Sequence, residues 1–282
     1  IAAAIYRNNP DVGRGFLIAR NREKASVYSS LGNKEVEEKC YREVLRLTLE
    51  SDKENVNVYY KALANACKEL GYFLLIEADI SAAAKYLTDG YRYIEILFDM
   101  EPEAYRSDMS LWNAIMFIYY MEVGDSMTAL NYALKAFELD KVSYAQTPKR
   151  FWYQYMLSCQ RMAEVYSSVV KDFEKAEQYD KEAVALMDKY AGGMIEEYIV
   201  SYERLCNQSY MSGRTDLALE YVDKLIAIDE SPAYLVFKAE ILYETGHIEE
   251  SVSLFSTITE NHPGYLDEKP SEVYDKKIRS NE

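Results

Sequence analysis

The sequence predicts an all-α fold in which helix pairs stack as a solenoid, and three observations carry that prediction. Helix formers dominate, while 11 Gly and 6 Pro in 282 residues leave few of the tight turns that many short strands need. Small residues such as Ala129, Ala133 and Ala136 fall three or four apart, so one helix face can approach a neighbour closely. Equivalent residues near the start of each second helix are Glu37, Ala83, Ala129, Ala176, Ala218 and Ser251. Their spacings of 46, 46, 47, 42 and 33 form a helical-repeat period.

In chain order, residues 1–14 read as a turn-prone lead-in (Asn8-Asn9-Pro10-Asp11, Gly13), with Ala2–Ala4 ending a helix begun upstream. Periodicity starts at Phe16, and Leu31-Gly32-Asn33 ends the first helix before a second runs from about Lys34. The second pair covers about 55–75 and 80–98, with Ala78-Asp79 as its turn. The third covers about 110–122 and 126–139, joined by Val123-Gly124-Asp125, and the fourth about 149–169 and 173–190. Gly192-Gly193 reads as a linker. The fifth pair (about 195–211 and 216–228) turns at Ser212-Gly213-Arg214, and the sixth (about 232–244 and 248–261) at Thr245-Gly246-His247. Pro263-Gly264 stops the array, and Tyr274 and Ile278 are four apart on a short capping helix over 271–279. One solenoid domain over 1–269, its pairs spanning about 16–263, and a cap or tail over 270–282 are expected.

With 49% hydrophobic and 28% charged residues the chain folds rather than staying disordered. Its net charge of −15 repels phosphate backbones, which argues against nucleic-acid binding by this chain. The longest apolar run, Ala114–Met121, is far below the ~18 residues needed to cross a bilayer, so no membrane insertion is expected. The first residue is Ile1 rather than Met, and Ile1–Ile5 is too short for a signal-peptide core, so the chain is expected to be a piece of a longer protein. Cys40, Cys67, Cys159 and Cys206 are widely spaced and lie inside predicted helices. They read as buried free thiols, which suits a cytoplasmic location.

Catalytic motifs find no support. His247 and His262 fall at a turn and a helix exit, and Gly13-Arg14-Gly15 lacks a preceding strand and a third glycine. Glu196-Glu197 and Glu249-Glu250 open helices, where negative charge suits the helix dipole, and adjacent helical residues do not face each other. No enzyme activity, cofactor or metal is expected. Trp112 and Trp152, near the starts of first helices, read as core residues, with an exposed aromatic patch for self-association or docking as the alternative.

The repeats resemble the tetratricopeptide family. Leu70-Gly71, and Met162-Ala163 followed by Tyr166, match its first helix, and Tyr28 and Tyr120 match its aromatic position. Ala129 with Ala136, Ala176 with Ala183, and Phe255 with Pro263 match its second helix. The family unit is 34 residues, so the longer period implies helices extended by one or two turns; armadillo and HEAT repeats share that period and are the alternative. The resemblance implies a right-handed superhelix of about six antiparallel pairs, whose first helices line a concave groove that binds a protein or peptide.

Carried onto this chain, the groove candidates are Asn65, Lys68, Tyr72, Ile115, Ile118, Gln160, Arg161, Glu164, Arg204, Asn207 and Tyr243, with Arg22, Glu23, Glu69, Glu203 and Glu240 beside them. Asn can bond both N–H and C=O of a peptide, and Arg grips carboxylates. The family's clamp for chaperone tails is incomplete, because Ile115 and Ile118 occupy the third repeat. An amphipathic helix, or a peptide with an apolar centre, suits such a groove better. Reversing Arg161 and Arg204 together is expected to weaken partner binding without changing melting. A scaffold for protein–protein interaction is the first reading, with homo-oligomerisation left open. The alternative is a peptide-sensing arm of a regulator whose DNA-binding or catalytic domain lies outside this chain.

Overall fold

The computed structural model describes residues 10–190 and 195–275. Among them are thirteen α-helices and no strand. The chain divides into two compact units, Ile1–Phe151 and Trp152–Glu282. The first unit is built from α1 (Pro10–Ser30), α2 (Lys34–Leu49), α3 (Val56–Ile76), α4 (Ile80–Met100), α5 (Pro102–Val123) and α6 (Ser126–Gln146). The second holds most of α7 (Pro148–Val165), then α8 (Phe173–Tyr190), α9 (Ile195–Met211), α10 (Thr215–Ile228), α11 (Pro232–Glu244), α12 (Ile248–Asn261) and the single-turn α13 (Tyr265–Glu268). Within each unit, consecutive helices pack in order, the packing of an α-solenoid. The pair α7 and α8 is joined by stacked rings, Trp152 on Tyr190 at 5.7 Å and Tyr166 on Tyr179 at 5.6 Å, and by the Tyr155 hydroxyl donating to Glu182 at 2.6 Å.

The turns follow one recipe. Gly124 ends α5 with φ +82°, a left-handed conformation that suits glycine, and Asp125 then accepts the Thr128 N–H at 3.2 Å to cap α6. Between α3 and α4 the left-handed position is held by Ala78 at φ +61°, closed by the Asp79 N–H on the Leu74 carbonyl at 2.9 Å. An alanine there is strained, because Cβ crowds the following carbonyl. Ala78→Gly is expected to stabilise the chain by about 1 kcal/mol, read as a higher urea midpoint with unchanged slope.

Two glycines set helix spacing in the first unit. A Cβ on Gly71 would lie 2.7 Å from the Leu87 side chain, so the Leu70-Gly71 pair lets α3 and α4 meet closely. A Cβ on Gly90 would overlap the Trp112 ring, which is 2% exposed and fills that notch. Ala129, Ala133 and Ala136 are buried along one face of α6, as their spacing predicts. All four cysteines are free and buried.

Several boundaries differ from the sequence expectation. Gly13 and Gly15, read as lead-in, lie inside α1, and Gly13 is buried. Helix α5 begins at Pro102 rather than near Ser110, because its polar first turns are tied to α3. The Asn57 amide donates to Glu101 at 2.9 Å, and Lys61 donates to Asp108 at 2.8 Å. Helix α6 continues past Leu139 because Asp140 and Ser143 hold its buried stripe, and their polarity hides it from a hydrophobic pattern. The end of α7 is wound as a π turn over Tyr166–Val170. After the sixth pair Gly264 adopts φ +86°, Leu266 is buried, and the Tyr274 ring lies 5.3 Å from Phe255. The expectations for Ala2–Ala4, Gly192-Gly193 and Ile278 lie outside the described residues. Among the described residues, no helix is long and apolar enough to cross a membrane.

Candidate functional site

In the first unit, polar side chains stitch first helix to first helix at one repeat's separation. Arg22 on α1 pairs with Glu69 on α3 at 2.8 Å, and Lys61 on α3 pairs with Asp108 on α5 at 2.8 Å. Both pairs are partly exposed, so they fix register more than they stabilise. They also use up Arg22 and Glu69. Asn65 and Lys68 follow Lys61 at helical spacing, and neither side chain has a polar partner among the described residues. Tyr72, 40% exposed, continues the stripe, with Val58 and Ile76 exposed at its two ends. On α5, Leu111 is exposed and Ile118, seven residues on, is half-buried on the same face. Asp108 lies one turn before Leu111, so the Lys61–Asp108 pair sets the two stripes side by side.

Ile115 does not belong to that surface. It is 5% exposed and packs in the core with Leu87, Met109 and Trp112, so of the expected apolar pair only Ile118 stays on this face, where the exposed Leu111 joins it. Its spacing places it on the stripe that carries Trp112, and burial there is the stronger demand.

In the second unit most of the expected contact residues are engaged with the fold. The Gln160 amide donates to the Glu197 carbonyl at 2.9 Å and the Ser201 hydroxyl at 3.0 Å, joining α7 to α9. Arg161 is half-buried and donates to Ser158 at 2.6 Å. Arg204 grips Asp180 of α8 with two parallel bonds of 2.9 and 2.8 Å, and Asp180 is 0% exposed. Burial pushes the Asp180 carboxyl up to about 6 against the pull of Arg204, so it is ionised at neutral pH. Of the remaining candidates, Glu164 and Asn207 are exposed, and Tyr243 is half-buried. Tyrosines take over the stitching here, with Tyr153 donating to Glu197 at 3.3 Å, Tyr234 to Glu203 at 2.7 Å, and Tyr210 to Glu244.

Asp180 was legible only indirectly. It falls on the buried stripe between Ala176 and Ala183, where a carboxylate needs a partner that periodicity does not name. Among the described residues no three His, Cys, Asp or Glu side chains are grouped to hold a metal. Burial raises the thiols of Cys67 and Cys206 to about 12 and that of Cys159 further, so none of the three is a thiolate at neutral pH.

No protein-family model matches the chain, and no curated protein matches its sequence. Its fold is similar to that of several solved structures. The apo form of RapI aligns with TM-score 0.62 at 15% identity, over 85% of this chain and 83% of that one. PilF of Pseudomonas aeruginosa aligns with TM-score 0.58 at 13% identity, over 91% and 97%. A tetratricopeptide repeat protein from Parabacteroides merdae aligns with TM-score 0.51 at 14% identity, over 86% and 78%. The architecture is therefore tetratricopeptide-like, with longer helices than the 34-residue unit requires.

Proposed function

We propose that the protein is a binding scaffold for another protein, and that its docking face is the exposed side of α3 and α5 in the first unit. Asn65 and Lys68 form the polar centre, with Tyr72, Ile76, Leu111 and Ile118 as apolar flanks. The observation that supports this best is the contrast along one face: Arg22, Lys61 and Glu69 are paired between repeats, whereas Asn65 and Lys68 have no polar side-chain partner among the described residues and lie beside exposed apolar side chains. Such a face suits a peptide segment with apolar side chains and a carboxylate. The Asn65 amide can hold backbone, Lys68 can hold the acid, and Tyr72 offers a rigid amphipathic contact.

The test is capture from native extract with the wild type and with Asn65→Ala/Lys68→Glu/Tyr72→Ala. These side chains are exposed or half-buried, so melting is expected to stay unchanged. Partners retained by the wild type are expected to be lost from the variant, while Glu164→Ala/Asn207→Ala in the second unit retains them. Retention by the first variant would remove this face from the function.

A further inference from the structure

A cleft of about 500 Å³ lies between the second helices α4 and α6, with α5 as its floor. It shares none of the residues of the docking face described above. Its size falls in the range of ~300–1,000 Å³ that ligand-binding pockets occupy. The floor is apolar and buried: Met109 of α5 forms it, Tyr91 of α4 closes one side, and Phe98 and Leu139 pack partly against them. Into this floor the fold sets one amide, Asn113, only 1% exposed. Its Oδ1 accepts from the Tyr91 hydroxyl at 3.2 Å and its Nδ2 donates to the Met109 carbonyl at 2.8 Å, which leaves one N–H and one lone pair of a buried amide unused.

The rim carries three carboxylates against one cation. Glu95 and Asp99, one turn apart on α4, and Glu138 on α6 are all exposed, and none is ion-paired among the described residues. The one cation of the lining, Lys135, rests its amine 5.2 Å from the centre of its neighbour Tyr132 instead of bridging to them. Burial, with the nearby Tyr132 and Glu95, raises the Tyr91 hydroxyl, so it stays a neutral donor. Three unpaired carboxylates around a low-dielectric floor make a field that attracts a cation and gains when that cation brings apolar surface with it.

We propose that this cleft is a second docking site and that it takes a basic amphipathic helical segment of a partner protein. An apolar side chain of that helix seats on Met109 and Tyr91, and a Lys or Arg one turn away meets Glu95, Asp99 and Glu138. The two sites then differ in the charge they select: Lys68 on the exposed face of α3 takes an acid, and the cleft between α4 and α6 takes a base.

The probe is a synthetic helical peptide of Leu and Lys, about 14 residues or four turns long, titrated against the whole chain with ¹³C-methyl methionine. The Met109 methyl resonance is expected to shift. Glu95→Lys/Glu138→Lys is expected to weaken binding by about tenfold or more, because it reverses two charges at a partly desolvated rim. Glu249→Lys/Glu250→Lys, which reverses two exposed carboxylates of the second unit, is expected to change binding by less than about twofold. A Ser and Lys peptide of equal charge is expected to bind about tenfold more weakly, having nothing for the floor. If both charge variants lose binding equally, the attraction is general to an acidic protein and the proposal fails. It fails also if Met109 does not move or if the Ser and Lys peptide binds as well. Should the double reversal alter the fold by circular dichroism, Glu95→Gln/Glu138→Gln carries the same comparison. Loss of the face centred on Asn65 and Lys68 leaves every one of these outcomes readable, since no cleft residue is shared with it.

Discussion

Arg204→Glu is expected to unfold the second unit, at a cost of about 3–5 kcal/mol, because it leaves the fully buried Asp180 without its cation and sets a second carboxylate against it. This overturns the expectation that reversing Arg161 and Arg204 spares melting. Arg204 is a structural residue, so its loss cannot report on a groove. The pH dependence separates an electrostatic cause from a packing one. A carboxyl whose folded pKa is raised adds stability below its unfolded value, near 3.9 for Asp, and loses it as pH rises through the folded value. Asp180 sits at about 6 even with Arg204 present, so without that cation the deficit is expected to be smaller at pH 5 than at pH 7.5. Removing both partners with Asp180→Leu/Arg204→Met is expected to recover most of the loss, since no unpaired charge remains. Urea melts of the wild type and the two variants at both pH values check the set; equal deficits at both, or no recovery, would mean that the pair is not what holds α8 to α9.

Trp112→Ala is the second large effect, about 3–5 kcal/mol, and it falls on the first unit. The indole is 2% exposed and lies in the notch above Gly90, so truncation empties the largest fully buried side chain of that core. Gly90→Ala in the wild type is expected to cost about 1–3 kcal/mol, because its new Cβ would meet the ring. In the Trp112→Ala background the same change is expected to cost little, since the ring is gone. Such non-additivity is the signature of direct contact. Additive losses would show that ring and notch do not meet.

How much of this was legible follows from what each element asks of its residues. The pairs with short turns and clear apolar stripes were readable to the residue: α11 and α12 carry the predicted bounds, and Gly32, Gly124, Gly213 and Gly246 all take the left-handed positions expected of them. The apolar pattern stops short of the end of α6 because Asp140 and Ser143 replace apolar residues on its buried stripe, and it misses the start of α5 because those first turns bury little and are held to α3 by one hydrogen bond and one ion pair. No periodicity encodes a cross-repeat bond. For the same reason, spacing does not separate candidate contacts that pair within the fold from those that do not. Lys68 and Arg204 are both cations on first helices, yet one is unpartnered and the other clamps a buried aspartate. Which of the two a cation does depends on the residue 24 positions away, a relation set by packing and not by spacing along one helix. The cleft between α4 and α6 had no signal at all, since its floor comes from α5 and its rim from two helices a repeat apart.

The proposed docking face is the exposed side of α3 and α5 that carries Asn65, Lys68 and Tyr72. A photo-crosslinking amino acid placed at Tyr72 tests it most directly, with Met127 at the exposed start of α6 as the control position. Irradiation in native extract is expected to give a partner adduct from position 72 and none from position 127, and the adduct is expected to vanish when Asn65→Ala and Lys68→Glu are added. Adducts from position 127 with none from position 72, or an adduct at 72 that survives those two changes, would contradict it.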